Sequence, residues 1–246
     1  MINDILTIII LSVNLKKTLL IIPTLNEKVN VIILIEQLQL LNIDILFVDD
    51  SSHDGTVEAI ISSMKMNKNI NLIQRTGKKG YALASIDGFK YGIRKKYEFI
   101  LSMDADLSHS VKDLKKILEL LEKADVIIGS RYIENGKILN WPFYRIFLSR
   151  TANYFCRKVL KTSIKDHTSG FRAYSSDALK ILKLENINSE GYAFLVEIIF
   201  SLFKLNFKIL EVPITFEDRK YGKSKLNSKI IFESIFNLFR IRKKVN

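Results

Sequence analysis

TLLIIPTLNEKVNVIILIEQLQLLNIDILFVDDSSHDGT, residues 18–56, is the stretch on which the fold turns. It opens on an unbroken apolar run, 18–22, stopped by Pro23, and a run this short and this apolar reads as a strand buried on both faces. Loop chemistry follows at Asn26 and Glu27, apolar residues then recur at helical spacing over 29–41, and 43–48 reads as a second buried strand. Outward from this unit the order repeats: helix 57–64, strand 71–74, helix 81–94, strand 99–103, helix 112–121, strand 126–129. The alternation predicts an α/β fold, with a mostly parallel central sheet and helices on both faces.

With 246 residues, 48% of them hydrophobic, the chain has enough apolar surface for one large domain. Its 38 Lys and Arg against 26 Asp and Glu leave a net charge of +12, which implies an anionic partner: nucleic acid, anionic lipid or a phosphorylated substrate. Charge alone does not choose among them. The lone Cys156 excludes an internal disulfide and a thiolate metal cluster, and fits a reducing cytosol. The apolar stretch 5–15 falls short of the roughly 20 residues of a membrane span and lacks a small-residue cleavage site. It reads as an added strand or a short docking helix.

In open α/β sheets ligands bind beyond the carboxyl ends of the strands, and the polar clusters of this chain lie there: 23–27, 49–55, 104–109 and 130–132. Asp104 and Asp106 directly follow FILSM, where alternate residues can direct two carboxylates to one point. Such a pair suits a hard divalent cation, Mg2+ or Mn2+, bridged to a diphosphate; the bland alternative is that both cap a turn. In VDDSSHDGT, Asp54 and Gly55 read as helix cap and tight turn, whereas Asp49 and Asp50 end an apolar strand and need partners. A base or ribose contact is the functional reading of Asp50.

GKKG, 77–80, does not match the phosphate-loop pattern, and no GxGxxG follows the first strand, which argues against a phosphate-loop NTPase or an NAD enzyme. Lys78 and Lys79 read as a solvated turn. His53, His109 and His167 lack zinc-ligand spacing and read as orienting or solvent-facing residues.

The ordered set PTLNE, VDDSSHDGT, MDADLSH, GSRY, WPFYRIFLS, DHTSGFR and VPITFEDRKYGKSKL resembles the dolichol-phosphate (polyprenyl-phosphate) mannose synthase branch of the family 2 glycosyltransferases, over roughly 18–226. The resemblance implies a GT-A type nucleotide-diphospho-sugar transferase fold, with an N-terminal extension over 1–17, a catalytic domain over 18–226 and an amphipathic basic tail over 227–246. It implies that Pro23, Glu27, Val48 and Asp50 hold the nucleotide, that Asp104, Ala105 and Asp106 handle diphosphate and metal, and that Arg219 and Lys225 complete the donor contacts. Arg131, Arg145 and Ser149 match the positions that grip an acceptor phosphate, with Asp104, Asp106 and Arg131 carrying catalysis. Two positions depart from the pattern. Leu25 stands in the donor site where relatives commonly have Tyr, and Ser108 stands where some relatives offer a Gln metal ligand.

The activity so implied is metal-dependent, inverting transfer of a sugar to dolichyl or another polyprenyl phosphate, with GDP-mannose as donor and UDP-glucose as the alternative. Over 141–161, aromatic residues alternate with cations: Trp141, Arg145, Leu148, Ala152 and Phe155 fall on one side of a helix, with Arg150, Arg157 and Lys161 roughly opposite. This predicts either a core helix with a solvated basic face or a surface helix at a lipid headgroup, and the resemblance favours the second. The expected setting is peripheral, on the cytoplasmic face of a membrane, through direct docking or an anchoring subunit. A sugar nucleotidyltransferase would need a Gly-rich basic loop after residue 22, where PTLNE stands. A nonenzymatic adaptor would not require the intact carboxylate and arginine motifs, and RNA binding lacks an aromatic signature.

Overall fold

The computed structural model describes residues 17–187, 189–219 and 228–245, the stretch 228–236 by its backbone alone. The apolar run 5–15 and Lys225 lie outside the described residues.

The first strand, β1 (Thr18–Thr24), leads to α1 (Lys28–Leu38), β2 (Asp44–Asp49), α2 (Thr56–Met66), β3 (Ile70–Gln74), α3 (Tyr81–Arg94) and β4 (Phe99–Ser102). There follow α4 (Val111–Leu118), β5 (Val126–Ser130), β6 (Lys137–Leu139), α5 (Phe143–Leu160), β7 (Arg172–Ser175), α6 (Ser176–Ile181), α7 (Gly191–Lys204), β8 (Ile209–Pro213), β9 (Thr215–Glu217) and α8 (Ser228–Val245). Seven strands form one sheet in the order β3-β2-β1-β4-β7-β5-β8, and β6 pairs with β9 in a small second sheet. All neighbours in the large sheet are parallel except β7, which runs antiparallel to both β4 and β5. The sheet is therefore mostly parallel, as the alternation of elements predicts.

Strand β1 is the hub because its side chains feed both layers. Leu20 and Ile22 pack with Val31, Leu34, Phe47, Leu114 and Ile117 on one face, while Leu19 and Ile21 pack with Ala84, Phe89, Phe194 and Ile198 on the other. Helix α3 lies close on that second face: a Cβ on Gly88 or Gly92 would stand 2.6 Å from a side-chain carbon of Ile21 or Ile100. A third cluster, Cys156, Leu160, Ala193, Val196, Phe200, Leu238 and Ile241, joins α5, α7 and α8 outside the sheet.

Pro23 does not stop β1, which runs on to Thr24 with Pro23 in register with Val48. The Ile21 carbonyl accepts from Met103 N–H at 3.1 Å, on the β4 side. Two residues on, Pro23 turns its nitrogen to that same side, beyond the last pair Ile21↔Ser102. Its missing N–H therefore costs no ladder bond. The order 3-2-1-4 reverses direction between β1 and β4, so a crevice opens at their carboxyl ends, and Pro23 to Glu27, Asp50 and Asp104 stand at its rim.

Candidate active site

The loops after β1 and β2 are knitted together. Asn26 N–H donates to Ser52 Oγ at 2.8 Å, His53 N–H to Asn26 Oδ1 at 2.9 Å, Glu27 N–H to Thr56 Oγ1 at 2.9 Å and Lys28 N–H to Asp54 Oδ2 at 3.1 Å. Asp54 also accepts from Thr56 N–H, at 3.0 Å, and Gly55 takes φ +89°; Gly55 makes the tight turn read from sequence but also stands at the N-cap of α2, so Asp54, one residue earlier, bonds the turn without capping the helix. Burial raises the Asp54 carboxyl, but bonds from Thr56 and Lys28 outweigh it and hold the group below its usual range. Pro23, Leu25 and Glu27 are half-buried at the rim, and Glu27 accepts from Asn30 Nδ2 at 2.6 Å. The side chains of Val48 and Ala105 are buried, so what these two positions offer a ligand is main chain.

The adjacent carboxylates at the end of β2 find different partners. Asp49 accepts from Thr24 Oγ1 at 3.0 Å and from Ser52 N–H at 2.8 Å, which accounts for it as loop scaffolding. Asp50 accepts from the Arg75 guanidinium and, at 2.6 Å, from Gly80 N–H. GKKG thus packs its last residue against the site while Lys78 and Lys79 are exposed.

Beyond β4, Asp104 has 34% of its side chain exposed and Asp106 12%, enough for both to meet a ligand. His109 Nε2 stands 3.5 Å from Asp104 Oδ2, and Arg219 Nη2 stands 3.2 Å from Asp106 Oδ2. Gly170 closes over the same carboxylate, since a Cβ there would lie 3.0 Å from Asp104 Oδ1 and 2.8 Å from the Tyr81 hydroxyl. Burial pushes the Asp104 carboxyl up, but His109, the Tyr81 hydroxyl and Arg219 prevail and hold it low. Ser108 Oγ is buried without a hydrogen-bond partner, next to Asp106, whose Oδ1 accepts Ser108 N–H at 3.2 Å. Two carboxylates and an orphaned hydroxyl are hard oxygen donors and fit a divalent cation. Among the described residues no three His, Cys, Asp or Glu side chains form a metal cage, so the pair fits a cation that also takes substrate phosphate and water as ligands.

Across the crevice, Arg131 turns its fork onto Asp166, with Nε and Nη2 at 2.7 and 2.8 Å from the two oxygens, and Nη2 also reaches Thr168 at 2.8 Å. Burial works against both charges, but the pairing wins: the Asp166 carboxyl is lowered and the Arg131 guanidinium raised. The rings of Tyr132, Trp141 and Phe216 surround the guanidinium at 5.3 to 5.8 Å. The fork expected to grip a phosphate is therefore already engaged inside the protein. Arg145 stacks on Trp141 at 3.9 Å and pairs with Asp218 at 2.9 Å, while Ser149 accepts from the Tyr132 hydroxyl at 2.7 Å. Arg145 Nε and Trp141 Nε1 are buried donors without a hydrogen-bond partner. Tyr192, 37% exposed at the start of α7, stands within electrostatic reach of Asp104 and of Arg131, Arg145 and Arg219.

The histidines divide. His53 is exposed; His109 is buried between the rings of Phe171 and Phe216, and His167 is buried with Nε2 at 2.8 Å from Thr162 Oγ1.

On α5 the stripe that packs inward is Asn153, Cys156 and Leu160, not the side led by Trp141 and Arg145. Leu148 and Phe155, expected on the apolar side, are exposed, as are Phe143 at 82%, Tyr144 at 66% and Phe147 at 60%. The inward stripe is set by the α7 and α8 side chains it meets, which helical spacing within α5 does not reveal. Among the described residues no helix is long and apolar enough to cross a membrane.

Arg75, Asp166, Tyr192 and Asp218 were not assigned by sequence reasoning. The sequence held a signal for three of them: Arg75 directly follows a strand beside the one that ends in Asp49-Asp50, and Asp166 and Asp218 lie within DHTSGFR and VPITFEDRKYGKSKL.

A family model for "Glycosyl transferase family 2" matches residues 19–182. The chain is 37% identical over 226 residues to the undecaprenyl-phosphate mannosyltransferase of Micrococcus luteus, covering 91% of this chain and 93% of that one. It is 36% identical over 228 residues to the polyprenol monophosphomannose synthase of Mycolicibacterium smegmatis, covering 91% and 86%. Against the dolichol-phosphate mannosyltransferase of Pyrococcus furiosus it is 38% identical over 235 residues, covering 92% and 64%. Among solved structures, the Mycobacterium tuberculosis glucosyl-3-phosphoglycerate synthase, in complex with Mn2+, UDP and glucosyl-3-phosphoglycerate, superposes with a TM-score of 0.68 at 15% identity, over 95% of this chain and 82% of that one. A mannosyltransferase from Pyrobaculum calidifontis, in complex with GDP-mannose and Mn2+, gives 0.60 at 13% identity, over 93% and 64%. At such identities these two speak to fold.

Proposed function

This chain belongs to glycosyltransferase family 2 and has the GT-A type fold, and from that premise we propose that it transfers mannose from GDP-mannose to the phosphate of a polyprenyl phosphate, with inversion at the anomeric carbon. The observation that carries this reading is the carboxylate pair Asp104 and Asp106 beyond β4, with Arg219 on Asp106, and two further arginines, Arg131 and Arg145, within electrostatic reach of the same Tyr192 as Asp104. One side offers carboxylates for a cation and a diphosphate, and the other offers cations for a second phosphate. The relatives named for transfer to undecaprenyl, polyprenol and dolichol phosphates support the acceptor class.

In this reading Pro23, Leu25, Glu27, Asp50 and the Val48 main chain hold the nucleoside, with Arg219 and Lys225 closing on the diphosphate. Asp104 and Asp106, aided by Ser108, would hold Mg2+ or Mn2+, which supplies neutralisation of the charge developing on the departing diphosphate. The acceptor phosphate, largely dianionic near pH 7 because its second pKa is about 6, attacks the anomeric carbon without a protein base. Its oxygen forms the new bond as the bond to the diphosphate breaks, and one displacement turns an α-linked donor into a β-linked product. Arg145 would meet the acceptor phosphate through its charge, its Nε–H and the neighbouring Trp141 indole N–H being buried donors still without a partner. Arg131 adds its charge and, through Asp166 and Thr168, holds the wall on which Ser149 and Tyr132 sit.

The exposed Phe143, Tyr144 and Phe147, with cations Arg150 and Lys158 on the same helix and Lys161 at its C-cap, suit peripheral docking on a cytoplasmic membrane face, directly or with an anchoring subunit. The test is transfer of radiolabelled sugar from GDP-mannose, and in parallel UDP-glucose, to a polyprenyl phosphate with Mg2+ or Mn2+. Metal-dependent mannolipid that Asp106→Ala abolishes is expected; transfer from UDP-glucose alone would overturn the donor, and transfer from neither would overturn the activity.

A further inference from the structure

Arg75 is the first residue after β3 and is nearly buried, with 9% of its side chain exposed. Its donors are distributed among three parts of the crevice wall. One guanidinium nitrogen, Nη1, is on Asp50 at the end of β2; Nε donates to Asp87 of α3 at 2.7 Å; Nη2 donates to the Lys78 carbonyl in the 76–80 loop at 3.2 Å. Its main chain continues the ladder past the last β2–β3 pair, with Arg75 N–H on the Asp49 carbonyl at 2.8 Å. Its own carbonyl accepts from Ser51 Oγ at 2.8 Å. The same loop returns a bond to Asp50, since Gly80 N–H reaches the second carboxylate oxygen at 2.6 Å.

Asp50 is thus held at both oxygens, one by the side chain of Arg75 and one by the loop that Arg75 ties down. A carboxylate has about four acceptor sites, so two protein donors leave room for N–H or O–H donors of a ligand while removing the side chain's freedom to turn away. The carboxylate of neighbouring Asp49 is absorbed by Thr24 and Ser52, so the Arg75 side chain serves Asp50 alone of the two. Arginine is suited to the task because its rigid planar fork serves several acceptors at once, which a lysine ammonium on a flexible stem does not reproduce.

We propose that Arg75 is a positioning residue of the donor site, which sets the affinity for the nucleoside diphosphate by fixing Asp50 and the 76–80 loop in one arrangement. The proposal rests on the donor reading of Asp50 above. Because Arg75 acts on the nucleoside half, its loss weakens substrate and transition state alike and falls on the donor KM, not on kcat.

The experiment is direct titration of GDP, with UDP in parallel, in the presence of Mg2+ into the intact protein and the Arg75→Gln, Arg75→Lys and Asp87→Asn variants, followed by steady-state transfer kinetics. Arg75→Gln is expected to weaken GDP binding roughly tenfold or more, the scale of a lost hydrogen bond to a charged group. Arg75→Lys should recover part of the loss, and Asp87→Asn should fall between intact protein and Arg75→Gln. The donor KM should rise by the same factors, with kcat and the acceptor KM unchanged. A folded Arg75→Gln that binds GDP as tightly as intact protein, or that loses kcat at unchanged donor KM, overturns the proposal. Should Arg75→Gln fail to fold, unchanged GDP affinity in Asp87→Asn overturns it instead. An intact protein that binds neither GDP nor UDP brings down the donor reading itself, and the proposal with it.

Discussion

At the residue scale, the site depends on charges that the protein neutralises for itself. Arg131 and Asp166 are both buried and bonded at both ends of the fork, so removing one leaves the other uncompensated. Asp166→Asn is expected to cost about 3–5 kcal/mol of stability, read as a lowered urea midpoint, and to depress transfer with it. His167 is a separate case. Burial, then Arg172, hold its imidazole down to about 4, against 6.5 ordinarily. The folded state therefore resists a proton that the unfolded state accepts, and stability falls as pH drops from about 6.5 toward 4, by up to roughly 1.4 kcal/mol per pH unit. Urea midpoints at pH 7, 5.5 and 4.5 should trace that decline, and His167→Gln, if folded, should flatten it. The lowered Asp166 carboxyl acts further down, its stabilisation being lost only as pH falls below the ordinary carboxylate range and through its folded value.

At the element scale, α3 and α8 are held in contrasting ways. Helix α3 approaches the sheet through Gly88 and Gly92, where an added methyl meets fully buried side chains of β1 and β4. Gly88→Ala and Gly92→Ala each trade better helix propensity for overpacking, and the overpacking should win by about 1–3 kcal/mol in thermal or urea unfolding. Helix α8 docks by Leu238 and Ile241 and by Lys244, whose ammonium reaches the buried Glu197 of α7. Cys156 lies under that contact, and burial raises its thiol to about 12, so it is inert while α8 stays in place. Lys244→Met strands Glu197, an expected loss of about 1–3 kcal/mol, and should speed reaction of Cys156 with a thiol reagent; an unchanged rate would show that α8 does not depend on this pair.

At the scale of the whole molecule, a positive net charge and a row of exposed rings on α5 make one surface suited to an anionic bilayer. Phe143→Ser with Phe147→Ser should lower sedimentation with anionic vesicles, and leave transfer to a short, water-soluble polyprenyl phosphate intact. Much of this architecture was legible in the chain. Residues 18–56 and the alternation beyond them specify a parallel sheet, because strands buried on both faces must read as apolar runs and their crossovers as helices, and local pattern records both. The carboxylates were legible for the same reason, since Asp50, Asp104 and Asp106 close apolar strands where topology places ligands. What only the tertiary structure decided are the long-range partners: Asp166 for Arg131, Asp218 for Arg145, Arg75 for Asp50, the antiparallel β7 wedged between β4 and β5, and the inward face of α5. A charge shows in sequence, but the charge that neutralises it is chosen by packing between segments far apart in the chain, and local periodicity carries no record of that choice.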